Sequence, residues 1–352
     1  MRRTTGILLL IAVVVVALFA SIAVGTRPLG IGEVIDALQA GGWPSLKVTD
    51  FHGIPWIVLE APPAPPGASD VYGIVWDLRF PRTVLGLVIG LAIGAAGALA
   101  QGHTRNPLAD PGMLGVNAGA ACAVVAGVYL LGIQSPIAFM AFGLIGALVA
   151  ASAVFGLAAL SGASPLTLIL AGTGLSALLL AITSGIVLSD SVTLDAWRFW
   201  NVGATTGRGL DVFSAALPFV VVGLVLALGS GYFLNVLSLG DDMSKALGSR
   251  VVLIRVMGIL TITLLVGAAT AACGPIVFLG LVVPHIARAF TGSDYRWIVP
   301  YSALLGAILV LVCDVIGRVI ARPGEVQVGV VLALVGAPFL IALVRRRKLA
   351  SV

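Results

Sequence analysis

The chain has 352 residues, of which 59% are hydrophobic and 10% are charged, and its formal net charge is +5. A soluble domain carries about 25% charged residues, so this composition excludes an ordinary soluble globular protein. The 44 glycines would weaken helices in water. In a bilayer, however, small residues let helices approach closely. The composition therefore predicts a membrane protein.

The apolar stretches are continuous runs of about 20 residues, the length at which an α-helix crosses a bilayer. A membrane β-barrel would instead show alternating segments of about ten residues. We therefore predict an all-α polytopic protein with about ten transmembrane helices in a single domain that covers residues 1–352. The predicted spans are 7–25, 83–101, 113–131, 136–160, 165–188, 212–236, 252–271, 275–290, 297–317 and 327–344.

The first span has some features of a cleaved signal peptide. It begins with basic residues, and Ala20-Ser21-Ile22-Ala23 would serve as a small-residue cleavage site. Its apolar run, from Ile7 to Gly25, is about 19 residues long, whereas signal peptides have about 7–15. We therefore expect a retained helix, although the charge distribution does not exclude cleavage.

Basic residues predict the orientation. Ten spans place both termini on one side, and the basic ends Arg2-Arg3 and 345–348 favour the cytoplasm. That side then holds 12 of the 20 basic residues and four of the acidic ones, for a net charge of +8 against −2 outside. We predict a multi-pass protein of the cytoplasmic (inner) membrane with both termini inside.

Three hydrophilic segments separate the spans. Residues 26–82 form a long outer loop with a Pro-rich stretch at 61–67, which favours extended chain. Residues 189–211 form a second outer segment, where Trp197 and Trp200 are typical of interfacial anchors. Residues 237–250 form the longest inner loop, in which Met243, Ala246 and Leu247 recur at helical spacing. We expect a short helix at the membrane surface there.

The chain has no energy-converting motif of its own. It lacks the G-x-x-x-x-G-K-[ST] phosphate loop. Asp314 is the one acidic residue within a predicted span, and Arg318, four residues on, predicts a local ion pair. Ion-coupled transporters bury such groups near the midplane. The scattered His and Cys residues match no metal site, so we predict neither a metal nor a cofactor.

Arginines cluster at the predicted outer ends of two spans. Arg79 and Arg82 bracket Phe80-Pro81, and Arg318 and Arg322 follow the ninth span. Such arginines either extend their heads to the lipid interface or form a basic docking rim for carboxylates of a partner. Both interpretations remain open on the spacing alone.

Several strings, taken in chain order, resemble the permeases of ATP-binding-cassette importers for ferric siderophores, haem and vitamin B12, the FecCD-like type II importers. The resemblance covers nearly the whole chain after the first span. The strings are Leu78-Arg-Phe-Pro-Arg82, Gly97-Ala-Leu-Ala-Gln101, Arg105-Asn-Pro-Leu-Ala-Asp-Pro111, Leu114-Gly-Val-Asn-Ala-Gly-Ala120, Leu239-Gly-Asp-Asp242, Ala246-Leu-Gly248, Gly274-Pro-Ile-Val-Phe-Leu-Gly-Leu-Val-Val-Pro-His-Ile-Ala-Arg288, Asp314, Arg318, and Gly329 to Gly336-Ala-Pro338.

The resemblance implies a role for each group of residues. Binding-protein docking would involve Arg79, Arg82, Arg318 and Arg322. ATPase coupling would involve Leu239, Gly240, Asp241, Asp242, Ala246, Leu247 and Gly248. The gate and pathway would involve Ser161, Ser164, Pro165, Gly172, Thr173, Ser176 and Asn117. A structural motif would comprise Asn106, Pro107, Asp110, Pro111, Pro284, His285 and Arg288.

The resemblance also implies partners. These are a second permease subunit, two cytoplasmic ATPase subunits that hold ATP and Mg²⁺, and an extracytoplasmic substrate-binding protein, without nucleic acid. The expected cargo is a ferric siderophore, with haem or cobalamin as the alternative. Two departures from the family pattern are Gln327, where proline is usual, and an enlarged outer loop at 43–72. From another class, a secondary transporter or channel remains open, as does a membrane enzyme.

Overall fold

The computed structural model describes residues 3–51, 54–160 and 165–345. Within those ranges the chain is a helical bundle with one β-hairpin. Its first elements are α1 (Arg3–Ala23), α2 (Ile31–Ala40), β1 (Ser45–Phe51), β2 (Ile54–Glu60), α3 (Asp70–Gly73), a π-helical turn (Ile74–Arg79), α4 (Phe80–Thr104), a 3₁₀ turn (Pro111–Leu114), α5 (Val116–Leu131), α6 (Pro136–Leu160) and α7 (Pro165–Ser189).

The second half of the chain is helical throughout its described elements. These are α8 (Ser191–Asn201), α9 (Leu210–Gly229), α10 (Gly231–Ser238), α11 (Asp241–Ala246), α12 (Val251–Cys273), α13 (Leu279–Thr291), α14 (Tyr295–Ile320) and α15 (Val328–Arg345).

The predicted spans are confirmed in number and order. In the described part of the chain, seven helices are long and apolar enough to cross a membrane. Three shorter apolar helices, Val116–Leu131, Leu279–Thr291 and Val328–Ala342, match the remaining predicted spans. The boundaries differ most at the second span, which we expected to begin at residue 83. That helix is continuous over Asp70–Thr104, because α3 and the π-helical turn add helical turns before residue 83.

The outer loop is more ordered than the sequence suggested. Residues 26–82 contain α2, the hairpin and the first turns of the second span. The predicted all-α class is confirmed, and the hairpin adds two short strands to it. The second outer segment contains α8, and Trp200 on that helix is buried, which contradicts interfacial anchoring for this side chain. The sixth predicted span is two helices, α9 and α10.

Glycines let α4 lie at the centre of the bundle. A Cβ at Gly90 would collide with the backbone of Gly306 and Ala307 on α14, and one at Gly97 would collide with Gly280 on α13. Helices without hydrophobic drive in lipid associate through such close backbone contacts. The high glycine content is thus used at helix crossings, as its membrane interpretation predicts.

Polar contacts divide the bundle into two ends. At one end lie the α11 segment, Arg3, Arg105 and Asp294, connected by contacts described below; we call this the α11 end. At the other end lie the hairpin and the arginines near residues 79 and 318; we call this the hairpin end. Because α4, α12 and α14 run between them, every candidate functional residue at an end can be assigned to one membrane face.

Candidate functional sites at the two ends of the bundle

A buried ion network joins α4 and α14 at the hairpin end. Asp314 accepts hydrogen bonds from Arg82 Nε at 2.9 Å, from Arg82 Nη2 at 2.7 Å and from the Thr205 hydroxyl at 2.9 Å. Arg318 Nη2 also donates to Asp314, which confirms the predicted local ion pair. Arg82 Nη1 donates to Glu325 at 2.7 Å. These donors replace water around a carboxylate that is 2% exposed.

Further donor groups of the arginines cap α1. The last four carbonyl groups of a helix have no partner within it, and the helix dipole favours a cation there. Arg79 Nη1 donates to the Ile22 and Ala23 carbonyls at 2.8 and 2.6 Å. Arg318 Nη1 donates to the Ser21 carbonyl at 2.7 Å. Side chains from two other helices therefore fix the C-terminal end of α1 to the bundle.

The predicted docking arginines are mostly buried. Arg79, Arg82 and Arg318 are 5%, 8% and 2% exposed, which corrects the expectation of a solvent-facing rim at these three positions. Arg322 is exposed, and its Nη2 donates to the Gly25 carbonyl at 2.6 Å. The physical reason is that acceptors from distant parts of the chain lie beside the buried guanidinium groups, and sequence spacing does not reveal those acceptors.

A cleft of about 390 Å³ opens beside the network. Its charged lining consists of Arg27, Arg79, Arg82 and Arg318 against Glu325, so positive charge is in excess. Arg27 is exposed, and its backbone carbonyl accepts from Arg79 Nη2 at 2.6 Å. Sequence reasoning missed Arg27 because 52 residues separate it from Arg79. The one sequence feature that could have indicated Arg27 is its position between the end of α1 and Pro28.

The structural-motif residues meet between the loop after α4 and α13. Arg288 Nη1 donates to Gln101 Oε1 at 2.6 Å, and Gln101 Nε2 donates to the Leu281 carbonyl at 3.2 Å. His285 Nε2 donates to the Pro107 carbonyl at 2.8 Å. The last turns of α4 and the loop after it are therefore each fastened to α13.

The same loop is also ordered internally. The Asn106 side chain accepts from the Leu108 N–H at 2.9 Å, and Asp110 accepts from the Gly112 N–H at 2.8 Å. Pro111 packs against Gly280 of α13, and Pro284 lies inside that helix. The structure thus brings the predicted structural set together. Its local geometry agrees with the turn chemistry that two prolines and an Asn-Pro step predict.

An ion clasp holds α11 against the bundle. Asp241, the first residue of α11, accepts from Arg255 Nη2 at 2.8 Å and from Arg105. Arg105 Nε also donates to the Leu237 carbonyl at 2.9 Å. Burial raises the pKa of Asp241, but the hydrogen bonds and charges of Arg105 and Arg255 outweigh it and leave the pKa below its usual range. The clasp therefore stays ionised at neutral pH.

The α11 segment exposes large apolar side chains. Leu239, Met243 and Leu247 follow one another at intervals of four residues, and all three are exposed. Asp242 and Ala246 are exposed as well. The predicted short helix is confirmed, and exposed apolar residues lie on it and directly before and after it. We call the residues Leu239, Met243 and Leu247 the α11 face.

Two glycines flank the α11 helix. Gly240 has φ +105° and Gly248 has φ +79°, a backbone region that side chains disfavour. The chain therefore turns sharply on both sides of α11, which makes this helix a protruding element. Their placement agrees with the role that the resemblance implies, although that role itself stays a prediction.

A second acidic residue ties three segments together at the α11 end. Asp294 accepts from Arg296 Nε at 3.1 Å, from Asn235 Nδ2 at 2.7 Å and from Arg3 Nη1 at 3.3 Å. The hydrogen bond from Arg296, opposed in part by burial, lowers the pKa of Asp294 to about 2. The start of α1, the end of α10 and the start of α14 are thus joined at one point.

The predicted pathway residues are not brought to a single surface. Gly172 is buried against the backbone of Met113, whereas Thr173 on the same helix is exposed. Asn117 Oδ1 accepts from the Thr270 hydroxyl at 2.9 Å, which turns it toward α12. Their role remains a prediction for an assembly that this chain does not form alone.

The other predicted gate and pathway residues are placed only in part. Ser176 lies half-buried on α7, near Gly115. Pro165 begins α7, while Ser161 and Ser164 fall outside the described residues. The prediction that this turn forms a gate therefore stays untested.

The sequence matches the model of the FecCD transport family over residues 12–346. The ferric enterobactin transport system permease protein FepD of Escherichia coli K12 is 47% identical over 83% of this chain and 87% of that protein. The siderophore transport system permease YfiZ of Bacillus subtilis is 40% identical over 78% and 83%. The cobalamin import system permease BtuC of Halobacterium salinarum is 36% identical over 84% and 81%.

The fold has a solved counterpart. A structure described as an inward-facing metal-chelate type ABC transporter superposes with a TM-score of 0.80, covering 98% of this chain and 99% of that one at 22% identity. At that identity the likeness shows the fold alone. The family model covers both ends of the bundle, including the ion network and α11. The chain therefore belongs to the FecCD transport family.

Proposed function

We propose that this chain is the membrane-spanning permease subunit of an ATP-driven importer for an iron chelate, with a ferric siderophore as the first candidate. The observation that carries the proposal is the α11 face. Exposed apolar side chains on a segment that an ion clasp holds at the end of a membrane bundle support a partner surface there. The chain has no phosphate loop of its own, so the partner supplies the energy.

The partner at the α11 end is an ATPase subunit, one for each of two permease subunits. ATP and Mg²⁺ bind there, and this chain binds neither. The clasp of Asp241 with Arg105 and Arg255 joins α11 to α4 and α12. Movement of the ATPase is thereby transmitted to helices that cross the membrane, because a rigid connection moves as a unit.

The partner at the hairpin end is a substrate-binding protein that presents carboxylates. The cleft beside the ion network has excess positive charge, and Arg27 and Arg322 are exposed at this end. Complementary charge steers such a partner to its site and fixes its orientation. We assign the direct contacts to these two arginines, while Arg79, Arg82 and Arg318 hold the helices beneath them.

A second permease subunit covers α7. This helix exposes Leu170, Leu178 and Ile182 along its length, and a translocation pathway between two copies would leave it accessible in the single chain. The chelate then crosses between the subunits near Thr173 with few specific contacts. The distribution of basic residues places the α11 end in the cytoplasm, in the inner membrane, with both termini inside.

Uptake by a reconstituted complex tests the proposal. The permease, its ATPase subunits and its binding protein are placed in liposomes, and accumulation of radioactive iron chelates is measured with and without ATP. We expect ATP-dependent uptake of a ferric siderophore, with cobalamin and haem as the competing cargoes. Liposomes without the ATPase subunits are the control, and uptake that persists in them would support a secondary transporter or channel.

A further inference from the structure

The enlarged outer loop folds into a hairpin whose two faces can be assigned. Leu46 lies opposite Leu59, and Val48 lies opposite Ile57. Side chains alternate along a strand, and directly opposite residues share a face. On this side of the hairpin Leu46, Val48 and Ile57 are exposed, whereas Leu59 packs partly against the core of the bundle. We call Leu46, Val48 and Ile57 the outward face, and Val58 points to the other side.

The opposite face covers an apolar crevice against the bundle. Val58 and Thr49 line a cavity of about 380 Å³ together with residues of α6 and α9. The hairpin is fastened there by the Leu59 N–H, which donates to the Ser214 hydroxyl at 2.9 Å. The remaining lining residues are Ile137, Met140, Ala141, Leu144, Ile145, Asp211, Ala215 and Phe219.

The crevice descends along the membrane-spanning helices. Ile145 on α6 and Phe219 on α9 both lie nine residues beyond the first residue of their helices. At about 1.5 Å per residue, the crevice extends roughly 14 Å from the hairpin end. Helix α6 carries no charged residue, and Asp211 is the one charged residue of α9 and lies at the mouth of the crevice. The lower part of the crevice is therefore at hydrocarbon depth.

The outward face is apolar and strongly exposed. Leu46, Val48 and Ile57 are 74%, 68% and 62% exposed, and Trp43, just before β1, is 92% exposed. An antiparallel pair with one face on a core usually presents polar side chains on the other. Tryptophan is enriched at membrane–water interfaces. Three exposed apolar residues on the outward face, beside the apolar helices α6 and α9, fit an interfacial location.

We propose that the hairpin is a lipid-binding element: its outward face lies in the interfacial region of the bilayer, and an acyl chain of a membrane lipid occupies the crevice beneath it. In the proposed orientation this is the outer leaflet. The occupant is a lipid because a crevice that opens between two spans at hydrocarbon depth is accessible to acyl chains and closed to a water-soluble partner. Thr49 and Asp211 at the mouth face the headgroup region.

Nitroxide labels test the location of the outward face. The full chain with Cys122→Ala is labelled at Val48→Cys or Ile57→Cys in lipid nanodiscs, with Asp195→Cys on the polar helix α8 as the control site. Cys273 and Cys313 are buried, and the background without added cysteine measures their labelling. We expect collisions with oxygen to rise, and collisions with a water-soluble nickel chelate to fall, relative to the control site.

Three other results would overturn the location. Labels as accessible to the nickel chelate as the control site would place the outward face in water. Labels that reach water but become protected when the binding protein is added would assign it to that protein. Labels shielded from both colliding agents would place it in an interface with a second copy of the chain.

Filling the crevice tests its occupant. Ala141→Phe introduces a ring into the crevice, Ala141→Leu is the milder variant, and Val225→Phe adds a ring on the exposed side of α9 as the control. Native mass spectrometry of the detergent-purified chain counts retained lipids, and melting temperatures identify variants that do not fold. We expect the Ala141 variants to lose one bound lipid that the control retains. Unchanged lipid retention in a folded Ala141→Leu chain would contradict the crevice site.

Discussion

Charge is used in opposite ways at the two ends of the bundle. At the hairpin end, Asp314 and its arginines are buried and pair with one another within the chain. At the α11 end, Asp241 is only half-buried, and its clasp holds a segment whose apolar side chains are exposed among the described residues. The first arrangement fastens helices to each other, and the second holds a helix out for another protein. The difference predicts that substitutions at the two ends affect different properties.

The largest effect, on the stability of the chain, is expected for a substitution in the buried ion network. Asp314→Asn removes the negative charge that faces Arg82 and Arg318, and breaking a buried ion pair on one side costs about 3–5 kcal/mol. The melting temperature of the purified chain in detergent should fall by several degrees. The control is Asp195→Asn, which breaks an exposed pair with Arg198 at 3.0 Å and should cost less than about 1 kcal/mol. Equal melting temperatures for the two variants would contradict a structural role for the network.

The second largest effect is expected for substitutions on the α11 face, which should leave the stability of the chain unchanged and weaken binding of the ATPase subunits. Met243→Glu and Leu247→Glu each place a charge on the α11 face, and loss of an interface hot spot costs about 2 kcal/mol or roughly thirty-fold in affinity. Binding of the purified ATPase subunits is the measurement, and coupled uptake should fall with it. Because both side chains are exposed, the melting temperature should not change.

A matched control at residue 243 shows whether the added charge, and not substitution itself, weakens binding. Met243→Leu keeps the apolar surface of α11 and should preserve ATPase binding. If the glutamate variants bind the ATPase subunits as tightly as the parent chain, the α11 face is not the contact, and the coupling assignment fails while the family assignment stands.

The sequence predicts those features of the fold that depend on neighbouring residues alone. Long apolar runs predicted the spans because burial in lipid requires about 20 apolar residues whatever the neighbours are. The two prolines and the Asn-Pro step of the 101–111 loop act locally, so turn chemistry predicts an ordered turn there. The Asp314–Arg318 pair was predictable for the same reason, since four residues form one helical turn.

What the sequence did not reveal depends on distant partners. Arg79 caps α1 across 57 residues, and Arg82 reaches Glu325 across 243. Neither acceptor is visible without the fold, so neither of the two interpretations open on the spacing predicts that these arginines are buried. The hairpin was missed for another reason. Its neighbouring prolines favour extended chain, and the strand alternation of Leu46 and Val48 is short.

The smallest effect, on the affinity for the substrate-binding protein, is expected for substitutions of the exposed arginines. Arg27→Glu and Arg322→Glu reverse charge beside the cleft, and an exposed pair contributes up to about 1 kcal/mol, or roughly five-fold in affinity. Binding of the substrate-binding protein should therefore weaken a few-fold in each variant, and more strongly at low salt because exposed charges are screened. The measurement is a titration of the binding protein at two salt concentrations.

The control for this test must lie at the same end but outside the cleft. Lys47→Glu on the hairpin fits, because Lys47 pairs with Glu60 at 2.9 Å and does not line the cleft. Substituting Arg82 would be uninformative, since loss of its ion pair with Asp314 destabilises the chain and weakens docking indirectly. If Lys47→Glu and Arg322→Glu reduce affinity equally, the effect is one of net charge. If neither does, carboxylates of the binding protein bind elsewhere on this face.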